Sequence, residues 1–230
     1  MRELKTVSTV DALAEQIEKD IFSLHYAPGA RIMEADVCRR YSVSRNTVRE
    51  AVMVLLSTGI LCKVPNRGVS VKKITLPDVR EIFRLRGLLE IEAARDITRA
   101  GVLPPELFRL AEAVVAERPM DDWPRYIDAD LAFHEALVAA SGSSRLVRLY
   151  QSISAEVKLC MVQAGHPVRV WNDESHLFIL RAIESEDPEK AEKAIAEHME
   201  AAIRGYEQTF AGRNPADEYQ EEKSCPGSMF

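Results

Sequence analysis

The sequence predicts a mainly α protein in two parts. Three helices plus a β-hairpin occupy residues 1–74, and an all-α antiparallel bundle of about six helices follows over 75–211, with an unstructured tail at 212–230. Three observations carry this reading. The 230-residue chain has a formal net charge of -6, yet residues 1–75 hold 12 basic against 8 acidic side chains and the remainder 18 against 28. Halves of opposite sign suggest a basic module joined to an acidic one. β-rich runs occur only before residue 75, and from there to about Phe210 the apolar periodicity is helical throughout. Finally, Gly212 opens a polar, aperiodic segment, which is expected to be mobile.

The elements follow in order. Asp11 to Leu24 places Leu13, Ile17, Ile21 and Leu24 on one helical face, and Pro28-Gly29 breaks the chain. A short helix from Glu34 to Arg40 leads through the turn Tyr41-Ser42-Val43 to Ser44, which is placed to cap a helix over Arg45 to Ser57. Its apolar stripe is Val48, Ala51, Val52 and Leu55. Residues 60–64 and 68–72 read as a hairpin turned by Pro65-Asn66-Arg67. Thr75-Leu76-Pro77-Asp78 is a helix-start signal. Helices are expected over 77–99, 104–116, 121–141, 144–164, 172–185 and 188–210, bounded by glycine and proline breaks.

Several classes are excluded. The longest apolar run, Ala51 to Leu56, is far too short for a membrane span, and the N-terminus lacks the apolar region of a secretory signal, so a cytoplasmic location is expected. Cys38, Cys62, Cys160 and Cys225 show no metal-knuckle or disulfide spacing.

The basic module has the makings of a winged helix-turn-helix. Between Asp36 and Lys73 it carries 8 basic and 2 acidic residues. A recognition helix enters the major groove N-terminus first, so Arg45, Asn46, Thr47 and Arg49 are in position to read bases. Arginine pairs with guanine and asparagine with adenine, while the Ser44 and Thr47 hydroxyls suit phosphate. Arg39 and Arg40 end the preceding helix, and Arg67 with Gly68 stands at the hairpin tip, all candidates for backbone contacts with double-stranded DNA.

In the acidic module, Ile82, Leu85, Leu89 and Ala93 form the expected stripe of the first helix, with Arg86 beside it and Glu90 four residues on as an intrahelical ion-pair partner. His25 and His166 adjoin turns and are read as surface residues, whereas His134, His176 and His198 fall on apolar stripes of three different helices. Polar groups turned into a core are costly when unpaired. Three inward histidines, with Asp130 one turn before His134, form a converging set suited to a divalent transition metal: Zn²⁺ first, with Ni²⁺, Mn²⁺ or Fe²⁺ as alternatives. The same set is compatible with a metal-dependent helical hydrolase, or with a metal that is purely structural.

The run PGARIMEADVCRRYSVSRNTVREAVMVLLSTGILCKVPNRGVSV closely resembles the N-terminal domain of the GntR family of bacterial transcriptional regulators. One departure is Met33-Glu34-Ala35-Asp36, where many members carry a Ser-Glu pair with a basic or polar neighbour. The downstream helices, notably HLFILRAIESEDPEKAEKAIAEHM, resemble the ligand-binding FCD domain of that family's FadR branch. The resemblance implies a homodimeric regulator, more often a repressor, acting on a pseudo-palindromic operator. It further implies metal ligands at Asp130, His134, His176 and His198, and Arg86 as the residue meeting the carboxylate of a small organic acid effector.

Overall fold

The computed structural model describes residues 8–65, 67–117, 122–165 and 175–211. The tail from Gly212, His166 and Cys225 lie outside the described residues. The chain divides into two compact units, Met1–Ile74 and Thr75–Phe230.

In the first unit α1 spans Thr9–Phe22, α2 Glu34–Tyr41 and α3 Arg45–Ser57, followed by β1 (Leu61–Val64) and β2 (Gly68–Val71). Helix α1 starts and stops two residues before the expected bounds. Ser8 accepts the Asp11 amide at its start, and Leu24 takes a left-handed φ of 60° beyond its end. Ser44 caps α3 by accepting the Thr47 amide at 3.2 Å, as its position before the first helical residue predicts. The strands pair antiparallel with Leu61 opposite Val71 and Val64 opposite Gly68. Residues 29–32 run along the other edge of β2 through backbone bonds between Ile32 and Val69 and between Val71 and Ala30. Leu13, Ile17 and Ile21 of α1 meet Val48, Ala51 and Leu55 of α3 in a buried core. Asp20 of α1 joins α2 by accepting from Arg40 at 2.9 Å and from the Tyr41 hydroxyl.

The second unit contains α4 (Leu76–Ala100), α5 (Glu106–Ala116), α6 (Trp123–Ala140), α7 (Ser144–Ala164), α8 (Ser175–Glu184) and α9 (Pro188–Ala211). A capping box between Thr75 and Asp78 starts α4. This helix is central, packed against α6, α7, α8 and α9. It meets α9 tightly at Gly87, where an added Cβ would stand 3.1 Å from Cγ of Met199. Helices α6 and α7 form a hairpin through the short turn at 141–143. No described helix is long and apolar enough to cross a membrane.

The stripe expected on α4 is displaced. Leu85 is 44% exposed, while Arg86 and Glu90 are buried at 1% and 0%. The inward face runs through Val79, Ile82, Phe83, Arg86, Glu90, Ala93, Ala94 and Ile97. Hydropathy assigns both charges to the surface. Pairing them with each other and with a further carboxylate offsets the cost of burying them.

Candidate functional site

Two sets of residues have functional chemistry, one in each unit. In the first, the opening turn of α3 presents Arg45, Asn46 and Arg49 to solvent, with Arg67 and Gly68 exposed at the hairpin. Thr47 is half-buried, and its hydroxyl lies 2.8 Å from that of Ser44. The Arg49 Nε donates to both carboxylate oxygens of Glu34 at 3.1 Å, which ties its side chain to the start of α2. The arginines of α2 are differently engaged: Arg39 pairs with Asp36 on its own helix, and Arg40 is held by Asp20.

The sequence reading missed Arg31. Its guanidinium lies against Gly68, where an added Cβ would stand 3.6 Å from Nε and Nη2, and Gly68 has a φ of +82° that favours glycine. Arg31, Glu34, Arg45 and Gly68 line an open groove of about 360 Å³. The glycine in NRG was the available signal, since a residue without a side chain marks a close approach.

In the second unit Asp130 and His134 lie one turn apart on α6, His176 opens α8 and His198 lies midway along α9. One donor atom from each falls within 4.8 Å of all the others, and all four residues are buried. His176 Nε2 is 3.1 Å from Asp130 Oδ1 and 3.2 Å from His134 Nε2, and His134 Nε2 is 3.7 Å from the same Asp130 oxygen. Two donors bound to one tetrahedral ion at about 2.1 Å stand roughly 3.4 Å apart, so this spacing fits a zinc-sized cation. The His198 ring completes the set, 4.7 Å from that of His176 and 5.1 Å from that of His134 between centroids. Phe133 covers one side with edge contacts to the His134 and His176 rings.

Glu90 forms the ion pair with Arg86 that the sequence spacing suggests, and it has a second contact that the sequence reading missed. Its Oε2 lies 2.8 Å from His134 Nδ1, and its Oε1 accepts from Arg86 Nε at 2.8 Å. The Arg86 Nη2 continues to Asp130 Oδ2 at 3.1 Å. Thus Arg86, which the resemblance assigns to an effector's carboxylate, already bridges two carboxylates of the chain. The bond from Glu90 turns His134 Nε2 toward the other donors, as the outer partner of a ligating histidine does.

Electrostatics agree with this geometry. Burial pushes the Asp130 carboxyl up, but the Arg86 charge and His134 outweigh it and hold the group well below the usual carboxylate range. Glu90 is likewise lowered, its burial overcome by His134 and Arg86. Burial and the neighbouring imidazoles hold His198 well below the ordinary histidine value, and burial also lowers His176. Both are therefore neutral at pH 7, the form that coordinates a metal. His134 is raised: burial and Arg86 oppose its charge, but Glu90 and Asp130 prevail.

A winged helix-turn-helix with exposed arginines at its recognition helix, chained to a helical unit with a buried ligand-like centre, defines a DNA-binding transcriptional regulator. Comparison with known proteins agrees. Residues 9–71 match the model of the bacterial regulatory proteins of the gntR family, and residues 81–201 match the FCD domain. The uncharacterized HTH-type transcriptional regulator BphR of Paraburkholderia xenovorans is 28% identical over 208 residues, covering 85% of this chain and 84% of its own. The HTH-type transcriptional repressor RspR of Escherichia coli K12 is 26% identical over 193 residues, covering 80% of this chain and 82% of its own. The crystal structure of a GntR transcriptional regulator from Rhodococcus sp. RHA1 superposes with a TM-score of 0.73 at 24% identity, covering 90% of this chain and 100% of that one. The chain belongs to the GntR family of regulators, with a gntR-type DNA-binding domain and an FCD domain.

Proposed function

We propose that this protein is a homodimeric repressor in the cytoplasm. Residues 1–74 bind a pseudo-palindromic operator, and residues 75–211 sense a small organic acid at a divalent metal held by Asp130, His134, His176 and His198. The convergence of those four donors from α6, α8 and α9 carries the reading. A bound Zn²⁺ would supply Lewis-acid positions for a carboxylate oxygen. Arg86 has five N–H donors in a planar fork. Its bonds to Glu90 and Asp130 hold that fork beside the donor set, where it can also meet a carboxylate.

In the first unit Arg45, Asn46 and Arg49 read bases from α3, while Ser44, Thr47, Arg67 and Gly68 contact the backbone. Arg39 and Arg40 contribute positive charge near the phosphates. A second copy is supported by the exposed leucines of the FCD unit, Leu85 and Leu88 on α4 and Leu149 on α7, which are 44%, 57% and 57% exposed.

A purely structural metal is the second reading, favoured by the engagement of Arg86 with two carboxylates of the chain. Two measurements separate these readings. His176→Ala and His198→Ala should lose bound metal by mass spectrometry, lose the carboxylate response and retain operator affinity in gel shifts. Full metal content in either variant refutes the ligand assignment. Metal present in the wild type with no response to any carboxylate leaves the structural reading.

A further inference from the structure

Three buried charges lie in or beside the donor set. Arg86 is positive and Glu90 and Asp130 are negative, and their side chains are 2%, 0% and 3% exposed. Histidines ligate a metal only as neutral imidazoles. Among the described residues the chain thus brings a net charge of -1 to this interior, from one cation and two carboxylates. A divalent cation in the donor set takes the total to +1, and an uncompensated charge in a low-dielectric interior is costly. A ligand with one negative charge closes the account, and one with two reverses its sign.

A second observation concerns Tyr150 of α7. It is 2% exposed, and its hydroxyl has no hydrogen-bond partner among the described residues. It packs with Ala93, Val138 and Leu146. Val138 lies one turn beyond His134 on α6, and Ala93 lies three residues beyond Glu90 on α4. Through Val138 and Ala93, Tyr150 packs against α6 and α4, the helices that carry His134 and Glu90. The charges of Arg86, Glu90 and Asp130 all act on the phenol. A buried hydroxyl without a partner is destabilising, and a carboxylate bound beside it would satisfy it.

We infer that the effector is a monocarboxylate rather than a di- or tricarboxylate, and that the Tyr150 hydroxyl is one of its hydrogen-bond donors. The inference rests on the proposed reading of the centre as an effector site. Glu90 is the residue that sets the charge requirement, because it cancels Arg86 without being one of the four metal donors.

The test uses the full-length, zinc-loaded protein and isothermal titration with ligand pairs that differ only by a terminal methyl or carboxylate: butyrate against succinate, and 2-hydroxybutyrate against malate. At least one monocarboxylate should bind tenfold or more tighter than its partner. A dicarboxylate that binds more tightly than its matched monocarboxylate overturns the charge rule and leaves the effector reading standing. Binding of none of the four to zinc-loaded protein overturns the effector reading, and the inference with it. Glu90→Gln at unchanged zinc content should move the succinate-to-butyrate affinity ratio at least tenfold toward succinate, and an unmoved ratio refutes the role of Glu90. If the substitution costs the metal, the wild-type ratios decide. Tyr150→Phe should weaken the favoured monocarboxylate about tenfold with zinc content and ligand-free melting temperature retained. Unchanged affinity removes Tyr150 from the site.

Discussion

The carboxylate of Glu90 lies 2.8 Å from Nδ1 of His134, a residue 44 positions further along the chain and on a different helix. The contact fixes which imidazole nitrogen is turned toward Asp130 and His176. Loss of such an outer partner typically costs a metal site 10- to 100-fold in affinity. Glu90→Ala should therefore weaken zinc binding by about that factor in chelator competition. Glu90→Gln, whose amide oxygen can still accept from Nδ1, should lose less. Equal, wild-type affinity in both variants would show that His134 needs no such support.

On the DNA side, Arg45 and Arg49 stand on the first turns of α3, but only Arg49 is tied down, by Glu34. Arg45→Ala should reduce operator affinity by about 1–3 kcal/mol, and if Arg45 touches phosphate rather than a base the slope of affinity against salt should fall by about one. Glu34→Ala should leave stability nearly unchanged, since exposed ion pairs contribute roughly 0–1 kcal/mol, yet weaken operator binding by releasing Arg49. Gel shifts across a salt series, on a duplex selected from a random pool, report both effects.

The metal-free protein should become less stable as pH falls below about 6.5, the ordinary histidine value. His176 and His198 have lowered values in the folded state, so the unfolded chain takes up protons there first and stability is lost as acidity rises. His134 is raised, and the stability it contributes is already complete below the ordinary value, so it does not offset the loss. Melting curves from pH 6.5 to 5 with chelator present should slope downward, and His198→Gln should flatten them. A flat wild-type profile would contradict the burial of neutral imidazoles.

Gly87 is a packing prediction. With Met199 Cγ 3.1 Å from the place of a Cβ, Gly87→Ala asks a flexible side chain to yield by a few tenths of an ångström and should be tolerated. Gly87→Val should cost about 1–3 kcal/mol through overpacking. Pairing it with Met199→Ala should recover part of the loss in thermal denaturation.

The architecture was legible wherever a local signal marked an edge. Helix α3 has the expected bounds, Arg45 to Ser57, because Ser44 before it is an unambiguous cap. The three inward histidines were legible because each stands among aliphatic residues at helical spacing, and Ile179, Leu180 and Ile183 are indeed buried beside His176. Glu90 was visible only as a partner four residues from Arg86. Its burial depends on Arg86 also reaching Asp130 on α6, a tertiary fact that no helical periodicity encodes. Leu85 was misplaced for the complementary reason: hydropathy drew the stripe through the leucines and left the ion pair outside. Arg31 escaped because α2, α3 and β1 lie between it and Gly68 in the chain, so their approach is tertiary.

Helix α4 has 25 residues, and at about 1.5 Å per residue it is a rod of roughly 37 Å. It carries Arg86 and Glu90 near its middle, and Thr75 at its capped start is only four residues beyond Val71, the last residue of β2. At Gly87 its spacing from α9 is set by backbone against side chain, leaving little room for the two helices to approach further. Any shift of α4 against α9 within this unit must therefore be taken up at Met199, the flexible side chain that faces Gly87.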